Sequence, residues 1–309
     1  MASVVSATDA VTSSLGLGHA TTLAHALCGA IGDRHDIRVL SIKGPFAEYH
    51  GLRPARTAAD ADVLVAPSDF DAFCVAIEAA GWKERVARET PTLIAAHSRT
   101  YIHESWPCDI DVHLWFPGFF ADPSVVFDEL WKRRRAIPIG EVTVLFPGRP
   151  GAAAIAAMHA LRNMTVVRHR AEWAWVRDAL RDDFSETDRR DFLDLVTKGR
   201  AQWVLRDQLR DITGVEPEND LTAEEQRAWQ AHRAFAADGG AASWWIALRR
   251  QPFSEWPAFL LRAAWVPRAE IPRNDASVLP SRGQAWSYQV ARWGRGFTAT
   301  LRYVRGADR

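Results

Sequence analysis

Two acidic pairs with i, i+2 spacing are the residues of this chain best suited to metal chemistry. They are Asp60 and Asp62 in an Asp-Ala-Asp segment, and Asp109 and Asp111 in an Asp-Ile-Asp segment. In a β-strand, residues i and i+2 point to the same face, so each pair crowds two like charges. A divalent cation relieves that repulsion, and carboxylate oxygens suit Mg²⁺ or Mn²⁺. The alternative is two solvated acids at a strand entrance, since charged residues are mostly exposed.

The second acidic segment also carries a histidine on the same strand face. Asp109, Asp111 and His113 alternate with the apolar residues of the other face. These three residues could form a metal site of their own, with two carboxylates and one imidazole. A single carboxylate that joins the first acidic pair from a neighbouring strand is geometrically easier, because three ligands along one strand diverge. The third interpretation is a half-exposed strand with its polar side outward.

The dipeptide Lys43-Gly44 ends an apolar run and precedes a short predicted helix. Backbone N–H groups and the helix dipole at such a corner favour anions. Gly44 permits close approach of a phosphate, and Lys43 can add a positive charge. A plain strand–turn–helix corner with an exposed lysine is the alternative. The chain has no glycine-rich run that ends in Gly-Lys-Ser/Thr, which excludes a P-loop.

Strands and helices are predicted to alternate up to about residue 148. The predicted strands are residues 37–42, 60–66, 101–104, 108–115 and 142–146, and the predicted helices are 21–31, 46–50, 67–81 and 124–135. A Pro/Gly-rich loop follows at 147–151, and later periodicity predicts helices at 152–163, 171–181, 187–198, 201–212, 222–236 and 286–303. We therefore predict an α/β (α+β) domain with a mixed sheet over residues 1–148 and an all-α domain over 149–309.

Composition excludes several classes of protein. Of the 309 residues, 48% are hydrophobic, and 38 Lys and Arg balance 38 Asp and Glu, which disfavours a generally basic protein that coats nucleic acid. Cys28, Cys74 and Cys108 have spacings that predict neither a disulfide framework nor a zinc site. No secretory signal or membrane-length apolar run is evident, so we expect a cytoplasmic protein with no membrane partner.

The order of these elements is similar to that of the polymerase-β-like nucleotidyltransferase fold. More closely, the chain resembles an uncharacterised nucleotidyltransferase family of that superfamily, whose pattern is a Lys-Gly turn, a nearby Tyr, and Arg-x-x-x-Asp-x-Asp before apolar residues. The matching positions are Lys43, Gly44, Tyr49, Arg56, Asp60, Asp62 and Val63-Leu64-Val65, with a later match at Asp111-Val112-His113. His159 and Asp178 correspond to a helical His and an Asp of the family's helical half. The wider superfamily usually has Gly-Ser at the phosphate turn, so a serine contact to phosphate is absent here.

The resemblance implies Mg²⁺-dependent transfer of a nucleoside monophosphate from an NTP, ATP among them, to an acceptor hydroxyl, with release of pyrophosphate. Asp60 and Asp62 are expected to hold two Mg²⁺ ions, with Mn²⁺ as a possible substitute. Asp111 is expected to bind only the ion beside the attacking hydroxyl and to accept its proton. Lys43 and Gly44 are expected to hold the departing phosphates.

Further residues receive supporting roles with open alternatives. Arg56 either braces the carboxylates or contacts phosphate, or it forms a surface salt bridge. His159 and Arg162 share a helix face and either line the cleft and touch the nucleotide or acceptor, or are merely a partly buried His and a solvated Arg. The candidates for support are His113, Asp109 and Asp178, whereas His97, His103 and His169 receive no role.

The acceptor and the oligomeric state are not fixed by the sequence. Peptides, proteins, tRNA and small molecules are all acceptors within this fold, so the resemblance leaves the acceptor class open. A non-catalytic module that binds a nucleotide or a partner on the same fold is the alternative function.

Overall fold

A computed structural model describes residues 15–85, 97–238, 248, 252–268, 271 and 279–306 of the chain. Strands and helices mix in its first half, around a five-stranded sheet. From Arg149 onward, the elements in the described residues are helices. The predicted mixed α/β class with a mixed sheet is confirmed, while the division into domains at residue 148 stays a prediction.

The sheet contains one parallel pair of strands, and that pair carries the acidic residues. Its strands are β1 (Val39–Ile42), β2 (Asp60–Val65), β3 (Lys83–Glu84), β4 (Ser98–Ile102) and β5 (Asp109–His113), in the order β1-β2-β5-β4-β3. Strands β2 and β5 run parallel, whereas the other neighbours are antiparallel. Because β2 and β5 are parallel and in register, both acidic segments begin at the same edge of the sheet.

The face of the sheet that lacks the acids is apolar and lies beneath two helices. Helices α1 (Leu17–His35) and α3 (Phe70–Ala79) cover this face. One buried cluster joins them to the sheet, and its members include Ala24, Cys28, Val63, Val65, Phe73, Ile77, Ile110 and Val112. Since strand side chains alternate, burial of these residues turns the acids of β2 and β5 to the opposite face.

The opposite face packs partly against the helices of the second half. Leu40, Ile42 and Leu64 share a buried cluster with alanines of α5, among them Ala153 and Ala157. The remaining helices are α2 (Gly44–Tyr49), α4 (Pro123–Lys132), α5 (Arg149–Leu161), α6 (Val167–Asp178), α7 (Glu186–Lys198), α8 (Arg206–Thr213), α9 (Ala223–Asp238), α10 (Trp256–Ala264) and α11 (Arg282–Gly306). Helix α5 therefore brings helical residues to the acidic face of the sheet.

The structure differs from the predicted elements at β3, β6 (Arg135–Ile139) and α10, which were not predicted, and at the helix predicted over 201–212. A separate hairpin pairs β6 with β7 (Val142–Phe146). Strand β6 was not predicted; it contains Pro138, and proline usually argues against a strand. Helix α10 was not predicted, and the helix predicted at 201–212 begins only at Arg206, after a turn.

The cysteines and the hydrophobicity of the helices complete the description of the fold. All three cysteines are buried free thiols. Among the described residues, we find no helix with both the length and the hydrophobicity that crossing a membrane requires.

Candidate active site

Asp62 and Asp111 form the centre of the candidate site. They are paired in register on the parallel strands β2 and β5, so their side chains are neighbours on one face. One ligand atom from each, together with one from His113, lies within 4.8 Å of the others. This group combines both predicted arrangements, because its carboxylates come from two strands and its imidazole comes from the second acidic strand.

Both central carboxylates accept hydrogen bonds from the protein. Asp62 Oδ1 accepts from Lys43 Nζ at 2.6 Å and lies 2.9 Å from His113 Nε2. Asp111 Oδ1 accepts from Thr100 Oγ1 of β4 at 2.6 Å. The antiparallel pairing of β1 with β2 places Ile42 opposite Asp62, and this pairing brings the next residue, Lys43, within reach.

The two carboxylates differ in acidity despite their proximity. Burial alone would raise the pKa of Asp62, but the Lys43 ammonium and His113 outweigh it and hold that pKa well below its usual range. Burial and the neighbouring Asp62 charge raise the pKa of Asp111 to about 6. Two titratable groups with pKa values pushed apart are typical of acid–base sites. Asp111 is thus the more basic of the pair.

The turn that carries Lys43 has an unusual backbone conformation. Lys43 has φ 55° and ψ −145°, and Gly44 follows with φ 42°. A residue with a side chain at such an angle costs on the order of 1–3 kcal/mol, and strain of this kind persists where the surrounding structure enforces it. Here the strained residue is the one whose ammonium contacts Asp62.

A cavity of about 560 Å³ opens onto these residues. Lys43, Gly44, Asp60, Asp62, Asp111 and His113 contribute to what we call the sheet wall. The helical wall consists of residues from α5, α6 and the loop after α2, and its polar members are Arg53, Arg56, His159, Arg162, Arg168 and Glu172. A volume of this size is within the range of pockets that hold small molecules and cofactors.

Asp60 and Asp109, the first residues of the two acidic pairs, are not members of the central group. Asp60 lines the cavity, and burial together with the Asp62 charge raises its pKa. In the described residues it belongs to no group of three close ligand atoms. Asp109 is in an ion pair with Arg85 at 2.8 Å and is not among the residues that line the cavity. The role of Asp60 and Asp62 as a pair that holds two Mg²⁺ ions stays a prediction, as does the supporting role of Asp109.

The other predicted residues divide between the cavity and the surface. His159, Arg162 and Arg56 all line the cavity. Arg56 also forms an ion pair with Glu172 at 3.0 Å. Asp178 lies outside the cavity, at the end of α6, where Arg177 binds it at 3.0 Å. Tyr49 is 61% exposed and packs on Phe146.

Glu172, which lines the cavity, and His169, which is not among the lining residues, were given no role in the sequence analysis. Glu172 and His169 form a second close group with His159, and their i, i+3 spacing on α6 was the available signal. His169 Nδ1 lies 3.0 Å from the Asn163 carbonyl oxygen, so the ring is held in place. Because Arg56 already pairs with Glu172, this group has its own cations.

His97 is the remaining histidine of the cavity. Its ring centroid lies 5.7 Å from that of His113. Burial and the neighbouring His113 lower its pKa to about 2, so His97 is neutral at physiological pH. His97 lies directly before β4, and no periodicity of the sequence connected it with the acidic residues.

Comparison with known proteins gives little further information. No family model and no curated protein matches the chain. Among solved structures, the chain is similar to an antigenic nucleotidyltransferase-like protein from Paracoccidioides brasiliensis, with 10% identity and a TM-score of 0.33. That similarity covers 62% of this chain and 92% of the other. With so low a TM-score, the role of the cavity has to be argued from its own residues.

Proposed function

We propose that the cavity binds a divalent cation and a nucleoside triphosphate and transfers a nucleoside monophosphate to an acceptor hydroxyl. The observation that carries this proposal is the in-register pair of Asp62 and Asp111, which faces a cavity that also contains Lys43 and four arginines. Paired carboxylates suit a metal ion, and the cations suit a polyphosphate. A site that holds both kinds of group side by side matches the needs of phosphoryl transfer.

The donor set fits a divalent cation. Asp62 and Asp111 would supply hard oxygen ligands, and His113, whose buried Nδ1 has no hydrogen-bond partner among the described residues, would add an imidazole nitrogen. Oxygen ligands suit Mg²⁺, and the imidazole makes Mn²⁺ equally suitable. When bound, such an ion stabilises negative charge on the transferring phosphate and acidifies the attacking hydroxyl. Asp60, which lines the cavity nearby, is the candidate ligand for a second ion.

The chain's own groups have separable tasks in this proposal. Lys43 would contact the phosphates that leave, and Gly44 would leave room beside it. Asp111 would accept the proton of the acceptor hydroxyl, since its raised pKa makes it the better base of the pair. The hydroxyl oxygen forms the new bond to the α-phosphorus, the bond to the bridging oxygen breaks, and pyrophosphate leaves with that electron pair.

A second candidate function is a nucleotide-binding module without catalysis. It is favoured by one specific observation, the 2.6 Å bond between Lys43 and Asp62, because this ammonium already neutralises a carboxylate that a metal would need. In such a module the lysine would remain in place and the nucleotide would bind without metal.

The two functions are separated by an assay of NTP binding and pyrophosphate release. We expect release that depends on Mg²⁺ or Mn²⁺ and falls at least a hundredfold in Asp62→Ala, because the substitution removes a central ligand. Asp71→Ala is the matched control, since Asp71 is an exposed acid paired with Arg99. Asp111→Asn, which keeps the size of the side chain of the other central ligand and is expected to retain stability, guards against loss of folding, and circular dichroism checks both variants. Metal-independent NTP binding without pyrophosphate release would instead establish the binding module.

A further inference from the structure

We infer that Arg53 and Arg162 form a phosphate-binding subsite on the helical wall, separate from Lys43. This inference rests on the proposed function, because it assigns the subsite to a phosphate group of one of the two substrates. Its first basis is that neither guanidinium has an ion pair or a hydrogen bond within the described residues, although Arg162 Nε, Arg53 Nε and Arg53 Nη2 are all buried.

The neighbouring arginines of the cavity show a clear contrast. Arg56 binds Glu172 at 3.0 Å, and Arg168 lies 3.8 Å from the same carboxylate. Glu172 is thereby occupied, and Asp62 is occupied by Lys43 on the other wall. No carboxylate in the described part of the chain contacts Arg53 or Arg162 closely enough to form an ion pair.

Partial burial of an unpaired guanidinium is unfavourable, and both Arg53 and Arg162 are half-buried. It lowers the pKa of both Arg53 and Arg162, yet a guanidinium stays protonated in proteins, so the charge remains. A buried charge without a partner is strongly unfavourable, and a bound anion would relieve it. The arrangement thus predicts an anionic ligand for these two side chains.

The charge of the whole cavity supports a second anion in addition to the triphosphate. Its lining has five basic side chains and four acidic ones, a net charge of plus one when histidines are neutral. Two divalent ions would raise this to about plus five, and an NTP carries about four negative charges. One positive charge is left over, which a phosphate on the acceptor would neutralise.

The geometry of the cluster suits phosphate in particular. Arg53, Arg162 and Arg168 all line the same cavity, and the charge of Arg168 acts on the other two. The planar fork of arginine matches phosphate oxygens with two parallel hydrogen bonds. A phosphate-bearing acceptor would be held there while its hydroxyl faces the sheet wall.

The test is calorimetric titration with inorganic phosphate and with pyrophosphate, in the absence of metal and nucleotide. We expect Arg162→Gln and Arg53→Gln each to weaken phosphate binding about tenfold or more, while Arg170→Gln leaves it unchanged. Arg170 is the matched control because it is an exposed arginine of α6 that donates to the carbonyl oxygens of Met164 and Thr165. Equal phosphate affinity in Arg162→Gln and the unaltered protein would overturn the inference.

Thermal unfolding distinguishes ligand binding from a structural role. In phosphate-free buffer, Arg162→Gln should be at least as stable as the unaltered protein, because the variant no longer buries an unpaired charge. Phosphate should raise the unfolding temperature of the unaltered protein and not that of the variant. A variant that is less stable without phosphate and responds to it normally would show that Arg162 is structural.

A second titration identifies the source of the phosphate group. If inorganic phosphate still binds when a non-hydrolysable NTP and Mg²⁺ are saturating, the subsite serves the acceptor. If the NTP displaces it, the subsite holds the triphosphate, and the subsite itself is still supported. The first titration needs no metal, nucleotide or turnover. Phosphate binding can therefore be absent while pyrophosphate release is observed, and it can be present while pyrophosphate release is absent.

Discussion

The two walls of the cavity treat their charges in opposite ways. On the sheet wall, the charge of Asp62 is matched by the Lys43 ammonium at 2.6 Å, within a network of short hydrogen bonds. On the helical wall, Arg53 and Arg162 have buried guanidinium atoms without a partner among the described residues. A metal ion must therefore displace an existing partner, whereas an anion meets donors that are already free. Cation binding at Asp62 and anion binding at Lys43 are expected to be coupled, because the Lys43 ammonium pairs with Asp62 when no anion is bound.

The sheet wall contains a second contrast between its two carboxylates. Asp62 is stabilised as an anion, but burial and the Asp62 charge raise the pKa of Asp111 to about 6. Asp111 receives a hydrogen bond from the Thr100 hydroxyl and has no cation in hydrogen-bonding contact within the described residues. The protein thus neutralises the charge of one carboxylate and leaves the other without a paired cation among the described residues.

Replacement of Asp111 should give the largest effect on stability. Its folded-state pKa exceeds the value of roughly 3.9 expected in the unfolded chain, so the folded protein binds more protons between these pH values. The contribution of Asp111 to the free energy of unfolding therefore falls as pH rises from about 4 to 6 and stays low above that window. We expect Asp111→Asn to be more stable than the unaltered protein by about 3 kcal/mol at pH 8 and nearly equal to it at pH 4.

Urea unfolding in the presence of a chelator at both pH values measures this difference. Asp62→Asn is the comparison, and it should be destabilising at pH 8 because it leaves the Lys43 ammonium without its partner. If both variants lose stability at pH 8, the two carboxylates are equivalent and the contrast between them is wrong.

Part of this site could be predicted from the sequence because it depends on local rules. Alternation along a strand put Asp62 on one face of β2 and Asp111 with His113 on one face of β5, and the Lys43-Gly44 turn was recognisable from its glycine. The bond between Lys43 and Asp62 was not predictable, since it depends on the register in which β1 pairs with β2.

The helical wall was harder to predict for a similar reason. His159 and Arg162 were identified by their common helix face, whereas Arg53 carried no motif and the spacing of His169 and Glu172 did not connect Glu172 with the acids. Their roles arise from the approach of α6 to the loop after α2, where Arg56 meets Glu172. Such contacts join distant parts of the chain, and single-sequence periodicity contains no information about them.

Replacement of Lys43 tests the coupling between cation binding at Asp62 and anion binding at Lys43. In Lys43→Met the competing ammonium is gone, so we expect Mn²⁺ to bind about tenfold more tightly without nucleotide, equivalent to about 1.4 kcal/mol. Pyrophosphate binding in the presence of Mn²⁺ should weaken by a similar factor, because its contact with the lysine is lost. Calorimetry measures both affinities.

Lys132→Met is the matched control for this pair of titrations. Lys132 also binds a carboxylate at 2.6 Å, that of Glu129, but it does not line the cavity. If Lys43→Met leaves Mn²⁺ affinity unchanged, the ammonium does not compete with the metal, and cation binding and anion binding are not coupled through it.

The smallest effect is expected at Glu172, the carboxylate that occupies Arg56 on the helical wall. Glu172→Gln removes an internal anion that competes with phosphate for the arginine cluster, so phosphate affinity should rise. A partly exposed ion pair of this kind contributes roughly 0.5–1 kcal/mol, which corresponds to a two- to fivefold gain. Glu225→Gln breaks a comparable pair with Arg200 outside the cavity and should change nothing. Weaker phosphate binding in Glu172→Gln would mean that Glu172 positions Arg56 for the ligand, and the helical wall would then be preorganised by its ion pair instead of inhibited by it.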